Sequence, residues 1–307
     1  MRACLPLVPA VLVLGLALAG CGQQPATTAP QPHRSPDVRT HTRTPVPTIT
    51  PAAPTETASL TPHPVTGIAT TPPAWLGDRP LAPGAVGSDG YGAPRTTPEE
   101  LRDREFDLPD TLPELPGDGF AARVEPAPAE VIARSTWSPA CPVAADDLDW
   151  VRLTFVGFDH ERHTGELLVH RAVAAQVVDA FHDLWDQHFP IEEMTILSKA
   201  DLARRTGDDN DTSAFECHPH ETGDSAKAHG LAVDVDPFQN PATEKSDGTT
   251  LVKPVLAASY LDRSWDRPGM ISPGGPAVRA FRHVGWHWGG TEEPARFTAS
   301  SAAGSGR

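Results

Sequence analysis

Between Phe215 and Pro237 the chain reads FECHPHETGDSAKAHGLAVDVDP, and it gathers there the residue types that bind metals and move protons. His218, His220, His229 and Asp234 offer imidazole and carboxylate donors, the set that suits zinc and its first-row neighbours. His218 and His220 are two apart and share a side if the backbone is extended. These ligands would have to converge across the flexible HETGDSA loop, so solvated or hydrogen-bonding loop histidines are the preferred expectation. Asp234 and Asp236 lie two apart on a predicted strand, a spacing open to reading as a carboxylate pair for glycoside hydrolysis, although nothing else in the chain supports that chemistry. Trp286 and Trp288 alternate along another predicted strand and either line a ligand groove or pack internally. Glu192-Glu193 and Asp208-Asp209 read as solvated acidic faces.

The elements that must position these residues follow from periodicity. LDWVRLTFVGF (148–158) alternates Val151, Leu153 and Phe155 with polar partners, and the polar turn DHERHTG leads into ELLVH (166–170), which predicts a hairpin. RAVAAQVVDAFHDLWDQH places Val173, Val177, Phe181 and Leu184 on one side at helical spacing, an amphipathic helix of about 16 residues. Strands are expected over 191–197 and 230–236, the latter with Leu231, Val233 and Val235 on one face. GGPAVRAFRHVG (274–285) reads as a short helix stopped by glycine, and GWHWGG as the last strand. Strands and helices without a βαβ rhythm point to an α+β fold built on a single small mixed or antiparallel sheet with flanking helices.

The ends of the 307-residue chain set its context. Arg2, an apolar run from Leu5 to Ala19 and small residues before Cys21 read as a secretory signal. Leu18-Ala19-Gly20-Cys21 resembles the bacterial lipobox, which makes Cys21 the lipidation site. About 15 apolar residues fall short of the roughly 20 that span a bilayer. From Gly22 to about Gly117 the Pro- and Thr-rich composition is that of a disordered tether. A compact domain is expected over 118–297 and a frayed tail over 298–307. The net charge of −15 and the lack of a Lys/Arg cluster argue against a nucleic-acid partner. With Cys4 in the signal and Cys21 lipidated, Cys141 and Cys217 remain as an even pair in an oxidising compartment. A disulfide is the expectation and two buried thiols the alternative.

Taken in order, Phe215-Glu216-Cys217, Ser225 with Gly230-Leu231-Ala232-Val233-Asp234, Asp236-Pro237, Asn240-Pro241 and Gly285-Trp286-His287-Trp288-Gly289-Gly290 resemble a known family. It is the D-alanyl-D-alanine carboxypeptidase and L-alanyl-D-glutamate endopeptidase family, zinc enzymes that cleave peptidoglycan peptides. CPVAADDLDWVRLTFVGFDHERHTGELLVH is similar to its actinobacterial branch, so the resemblance runs from Cys141 onward. It implies a zinc held by a histidine three residues before the glycine, an aspartate four after it and a histidine near the C-terminus, with a carboxylate just before that histidine as general base. Asp234 matches the aspartate and Ser225 the motif's serine. Lys227 stands in the first histidine position, and His218 replaces an arginine that faces substrate. If Phe297 matches the family's phenylalanine, Arg296 takes the second histidine position and Glu293 the base position.

Removing a proton from a lysine of ordinary pKa costs about 4.6 kcal/mol at pH 7, which a zinc site worth about 10 to 16 kcal/mol could absorb. Arginine, with no lone pair to offer, cannot serve as a ligand. The resemblance with these replacements implies a cell-wall-facing lipoprotein, anchored through Cys21 on the outer face of the cytoplasmic membrane. Its cleft residues His218, Ser225, Lys227, Asp234, Trp286 and Trp288 would bind a peptidoglycan stem peptide or a cell-wall protein without a cofactor. The alternative is an active zinc peptidase with a relocated site drawn from Asp234, His229, His218 and His220.

Overall fold

A computed structural model describes residues 68–218, 225–290 and 296–299. The expected signal, Cys21 and the first half of the tether, up to residue 67, lie outside the described residues, as do His220 and Glu293.

Four short sheets and five short helices make up the described fold. The strands are β1 (Ala122–Pro126), β2 (Leu148–Val156), β3 (Arg162–His170), β4 (Glu193–Met194), β5 (Asp211–Thr212), β6 (Ala232–Asp234), β7 (Ala242–Ser246), β8 (Thr249–Lys253), β9 (Trp286–Trp288) and β10 (Arg296–Ala299). The helices are α1 (Glu99–Arg102), α2 (Ala129–Arg134), α3 (Ala174–Asp186), α4 (Lys199–Arg204) and α5 (Pro276–His283). β1-β2-β3 and β6-β10-β9 form antiparallel three-stranded sheets, β4 and β5 pair in parallel, and β7 and β8 form a hairpin. The expected mixed α and β character holds, but the single sheet does not. The segments 191–197 and 230–236 yield only two- and three-residue strands, because turns and side-chain bonds satisfy the rest of their backbone. GWHWGG is not the last strand either, since β10 follows it and sits between β6 and β9.

Alternation in β2 buries Val151, Leu153 and Phe155, while β3 buries Leu167 and Val169. Val177, Ala180, Phe181 and Leu184 of α3 close over them at i, i+3, i+4 and i+7 spacing. α5 starts with Pro276 in its first turn, as proline's fixed φ and missing N–H allow. Its Phe281 stacks on Phe297 of β10 at 3.9 Å between ring centroids and tilts against Trp286, joining the second sheet to the same core.

A second cluster (Val131, Val143, Leu148, Phe215 and Cys217) surrounds the Cys141–Cys217 disulfide, which is formed as expected.

The domain begins well before Asp118, which corrects the expected tether boundary. Leu101 and Phe106 pack with Phe238, Ala257 and Tyr260 in a third cluster. Arg104 is the reason that segment stays put. Its guanidinium is fully buried, binds Glu192 at 2.6 to 3.1 Å through Nε and Nη2, and donates to the Asp208 carbonyl at 2.6 Å. Glu192 and Asp208 are therefore buried rather than parts of solvated faces, because the segment after residue 68 covers them. A Pro/Thr-biased composition continuous across 22–117 conceals this, since the few anchoring residues are spaced too widely to show a period.

Candidate functional site

Three segments bring the candidate site together. The one-turn 3-10 helix Lys227–His229 ends at Gly230, whose φ of +69° turns the chain sharply into β6. A Cβ at Gly230 would lie 2.6 Å from the His170 backbone nitrogen, so only glycine allows the turn to press against the end of β3. The turn aims Lys227 inward, β6 presents Asp234, and β10 sets Arg296 directly opposite Asp234 in register. On the other edge of β6, Ser213 and Asp234 exchange backbone hydrogen bonds at 2.9 and 3.0 Å.

The side chains form a charged network. Lys227 Nζ donates to Glu216 Oε2 at 2.5 Å and to Asp234 Oδ2 at 2.8 Å, with Ser213 Oγ at 3.4 Å. Arg296 Nε lies 3.2 Å from Asp234 Oδ1. Glu216 Oε1 also meets His218 Nε2 at 2.7 Å and Lys253 Nζ at 3.3 Å. Lys227 and Glu216 are almost wholly buried, whereas the Lys253 and Arg296 side chains keep 36% and 26% of their exposure.

Burial alone would push the Glu216 carboxyl up. The pull of Lys227 and Lys253 and the bond to His218 outweigh it and hold Glu216 well below the usual carboxylate range. Asp234 follows the same balance, with burial opposed by Lys227 and Arg296, and ends lowered. Burial also works against the charge on Lys253, but Glu216 and Asp234 prevail and raise its pKa. All three groups are held charged at neutral pH.

The network forms the floor of a cavity of about 100 Å³. Its walls include Asp209 and Asp211, and a strap from the early segment, Val86 and Ser88 to Gly90, lies across it. Tyr91 on the same strap is pushed up to about 12, by burial first, with Arg296 opposing and Asp234 adding to the rise. Such a volume has room for only a few waters or one small polar group.

Of the residues expected at the site, the structure brings His218, Lys227 and Asp234 to the cavity. Ser225 and His229 are partly exposed and are not among its lining residues. Trp286 is buried beside Phe281, with its indole N–H on Gln176, and Trp288 lines a different, smaller pocket with Asn240 and Tyr260, so neither belongs to this cleft. The relocated metal set does not assemble among the described residues. His218 turns to Glu216, and both oxygens of Asp234 are engaged by cations. Asp236 is no partner for Asp234, because φ of +41° turns it away from the strand into a fully buried place where Oδ1 accepts the Glu192 N–H at 3.0 Å.

Sequence reasoning missed Glu216, Lys253 and the strap. A carboxylate between buried Phe215 and Cys217 was the available signal for Glu216. Lys253 carried none. No family model, no curated protein and no solved structure matches the chain.

Proposed function

We propose that this chain is a cell-wall-facing lipoprotein whose D-alanyl-D-alanine carboxypeptidase-like domain binds peptidoglycan stem peptides or a cell-wall protein without zinc-dependent hydrolysis. One observation carries the reading: Lys227 and Arg296 both bind Asp234, and the resemblance aligns Lys227 with a family histidine, Asp234 with the ligand aspartate and, if Phe297 matches the family's phenylalanine, Arg296 with the second histidine. An ammonium and a guanidinium have no lone pair to give a metal, and they already occupy both oxygens of the one acidic ligand. These residues do not fit zinc. A catalytic zinc site needs three protein ligands and an open position for water, and this network supplies fixed cations instead.

What the arrangement can do is bind. The floor carries Lys227 and the partly exposed Lys253 against Glu216 and Asp234, and Arg296 holds Asp234 from outside the lining. The cavity suits one small group of a longer ligand, with the remainder lying along the acidic wall of Asp209 and Asp211. Anchoring through Cys21 and reach through the Pro/Thr-rich segment belong to the same proposal. No described helix is long and apolar enough to cross a membrane.

The test is to incubate the full chain with purified muropeptides, with and without added zinc, to analyse the products by mass spectrometry, and to measure co-sedimentation with insoluble peptidoglycan. The expected result is co-sedimentation without cleavage, weakened in Lys253→Ala. Zinc-dependent release of an amino acid or peptide, or no retention on peptidoglycan, would sink the reading.

A further inference from the structure

On another part of the domain a second polar cluster converges, where the early segment meets the turn between β2 and β3. Asp107, Asp159 and His163 each offer one ligand atom, and these atoms lie within 4.8 Å of one another. His163 is oriented at both ring nitrogens. Nδ1 meets Asp110 Oδ1 at 2.9 Å and Nε2 meets Asp159 Oδ1 at 3.1 Å. Asp110 is itself fixed, because its Oδ2 accepts the Thr164 N–H at 2.8 Å. The imidazole packs on Phe155, 5.4 Å between centroids, which sets the plane of the ring.

We propose that this cluster is a binding site for a divalent first-row transition metal ion. Its ligands would be His163 Nε2, Asp159 and Asp107, and Asp110 would be the outer carboxylate that fixes the imidazole. Metal-bound histidines commonly donate their other ring N–H to a carboxylate, which selects the tautomer and aims the ligating nitrogen. Asp110 stands in that position. Ligand atoms about 2.1 Å from a common ion are roughly 3.0 to 3.4 Å apart. The 3.1 Å between His163 Nε2 and Asp159 Oδ1 already meets this, and the exposed Asp107 has only to swing inward. Backbone is cleared for the same spot, since a Cβ at Gly157 would lie 2.5 Å from both Asp159 Oδ1 and His163 Nε2. Three carboxylates surround one imidazole, so the charge balance calls for a cation. The imidazole selects a transition metal over calcium or magnesium, which prefer all-oxygen sites. Bound there, the ion would clamp the Asp107–Asp110 segment onto the β2–β3 turn.

The full chain, stripped with chelator and desalted, is titrated with zinc, manganese and calcium separately, and bound metal is read by calorimetry and elemental analysis. Zinc or manganese should bind with a component that His163→Ala abolishes. Asp110→Asn, which keeps all three ligands, should weaken it about 10- to 100-fold. Asp107→Asn, at an exposed position with little bearing on folding, should weaken it as well, and His218→Ala should leave it unchanged. No zinc or manganese binding by the native chain would overturn the proposal. So would binding unaffected by both His163→Ala and Asp107→Asn, or calcium binding as tight as zinc; with no binding at all, His163 is simply held between Asp110 and Asp159.

Discussion

The cleft network and the His163 cluster solve the same electrostatic problem in opposite ways. In the cleft, buried Glu216 and half-buried Asp234 are met by three cationic side chains, Lys227, Lys253 and Arg296. At the β2–β3 turn, three aspartates share one histidine. The first region carries its own counter-ions and gains nothing from a metal. The second has surplus negative charge and one oriented nitrogen. The two regions differ also in burial, since Lys227 and Glu216 are nearly sealed from water whereas Asp107 is exposed. The lesson is that a donor-rich sequence does not locate a metal. The site that looked like a metal centre in the sequence contains fixed cations, and the better ligand set sits where no motif announced it.

Lys227→Met should break the comparison most severely, because it leaves Glu216 buried with only the partly exposed Lys253 and with His218. A loss of about 3 to 5 kcal/mol in unfolding free energy is expected, the cost of stripping one partner from a buried pair, measured by urea denaturation. A loss under 1 kcal/mol would mean that water reaches the network freely.

Reducing Cys141–Cys217 should cost on the order of 4 kcal/mol by the chain-entropy relation for a 76-residue separation, read from the denaturation midpoint with and without reductant.

The pH dependence sharpens the contrast. Glu216 and Asp234 have folded pKa values below their unfolded ones, so their stabilisation is complete above about pH 5 and fades as pH falls through the folded values, below about pH 4. Lys253 is raised, so its share is complete below about pH 10 and is lost as pH climbs past its folded value. Buried Asp236 runs the other way, since burial pushes its carboxyl well up. The difference between native protein and Glu216→Gln therefore isolates the cleft, and that difference should shrink below about pH 4. A difference that is flat down to pH 2 would refute the assignment.

The smallest effect belongs to the second cluster. Without metal, Asp107→Asn should change stability by less than about 0.5 kcal/mol, as exposed substitutions do, while thermal unfolding of the native chain should shift upward with zinc and that of the variant much less.

The sequence by itself determined the elements with sustained periodicity. The β2–β3 hairpin, α3 and α5 form where Val151, Leu153, Phe155, Val177, Phe181 and Leu184 are spaced for one buried face, because such a stripe has only one way to leave water. It also paired the two remaining cysteines, whereas Lys227, Asp234 and Arg296 were brought together only by a family resemblance, Arg296 on the condition that Phe297 matches the family's phenylalanine. Only the tertiary structure decided the rest. Arg104, Glu192 and Asp208 are polar residues in sequence and core residues in the fold, because each finds its partner 88 to 131 positions away. Glu216 and Lys253 enter the cleft, and Asp110 reaches His163, in the same way. Burial of a charge depends on where its counter-charge arrives in space, and no local pattern of residues carries that information.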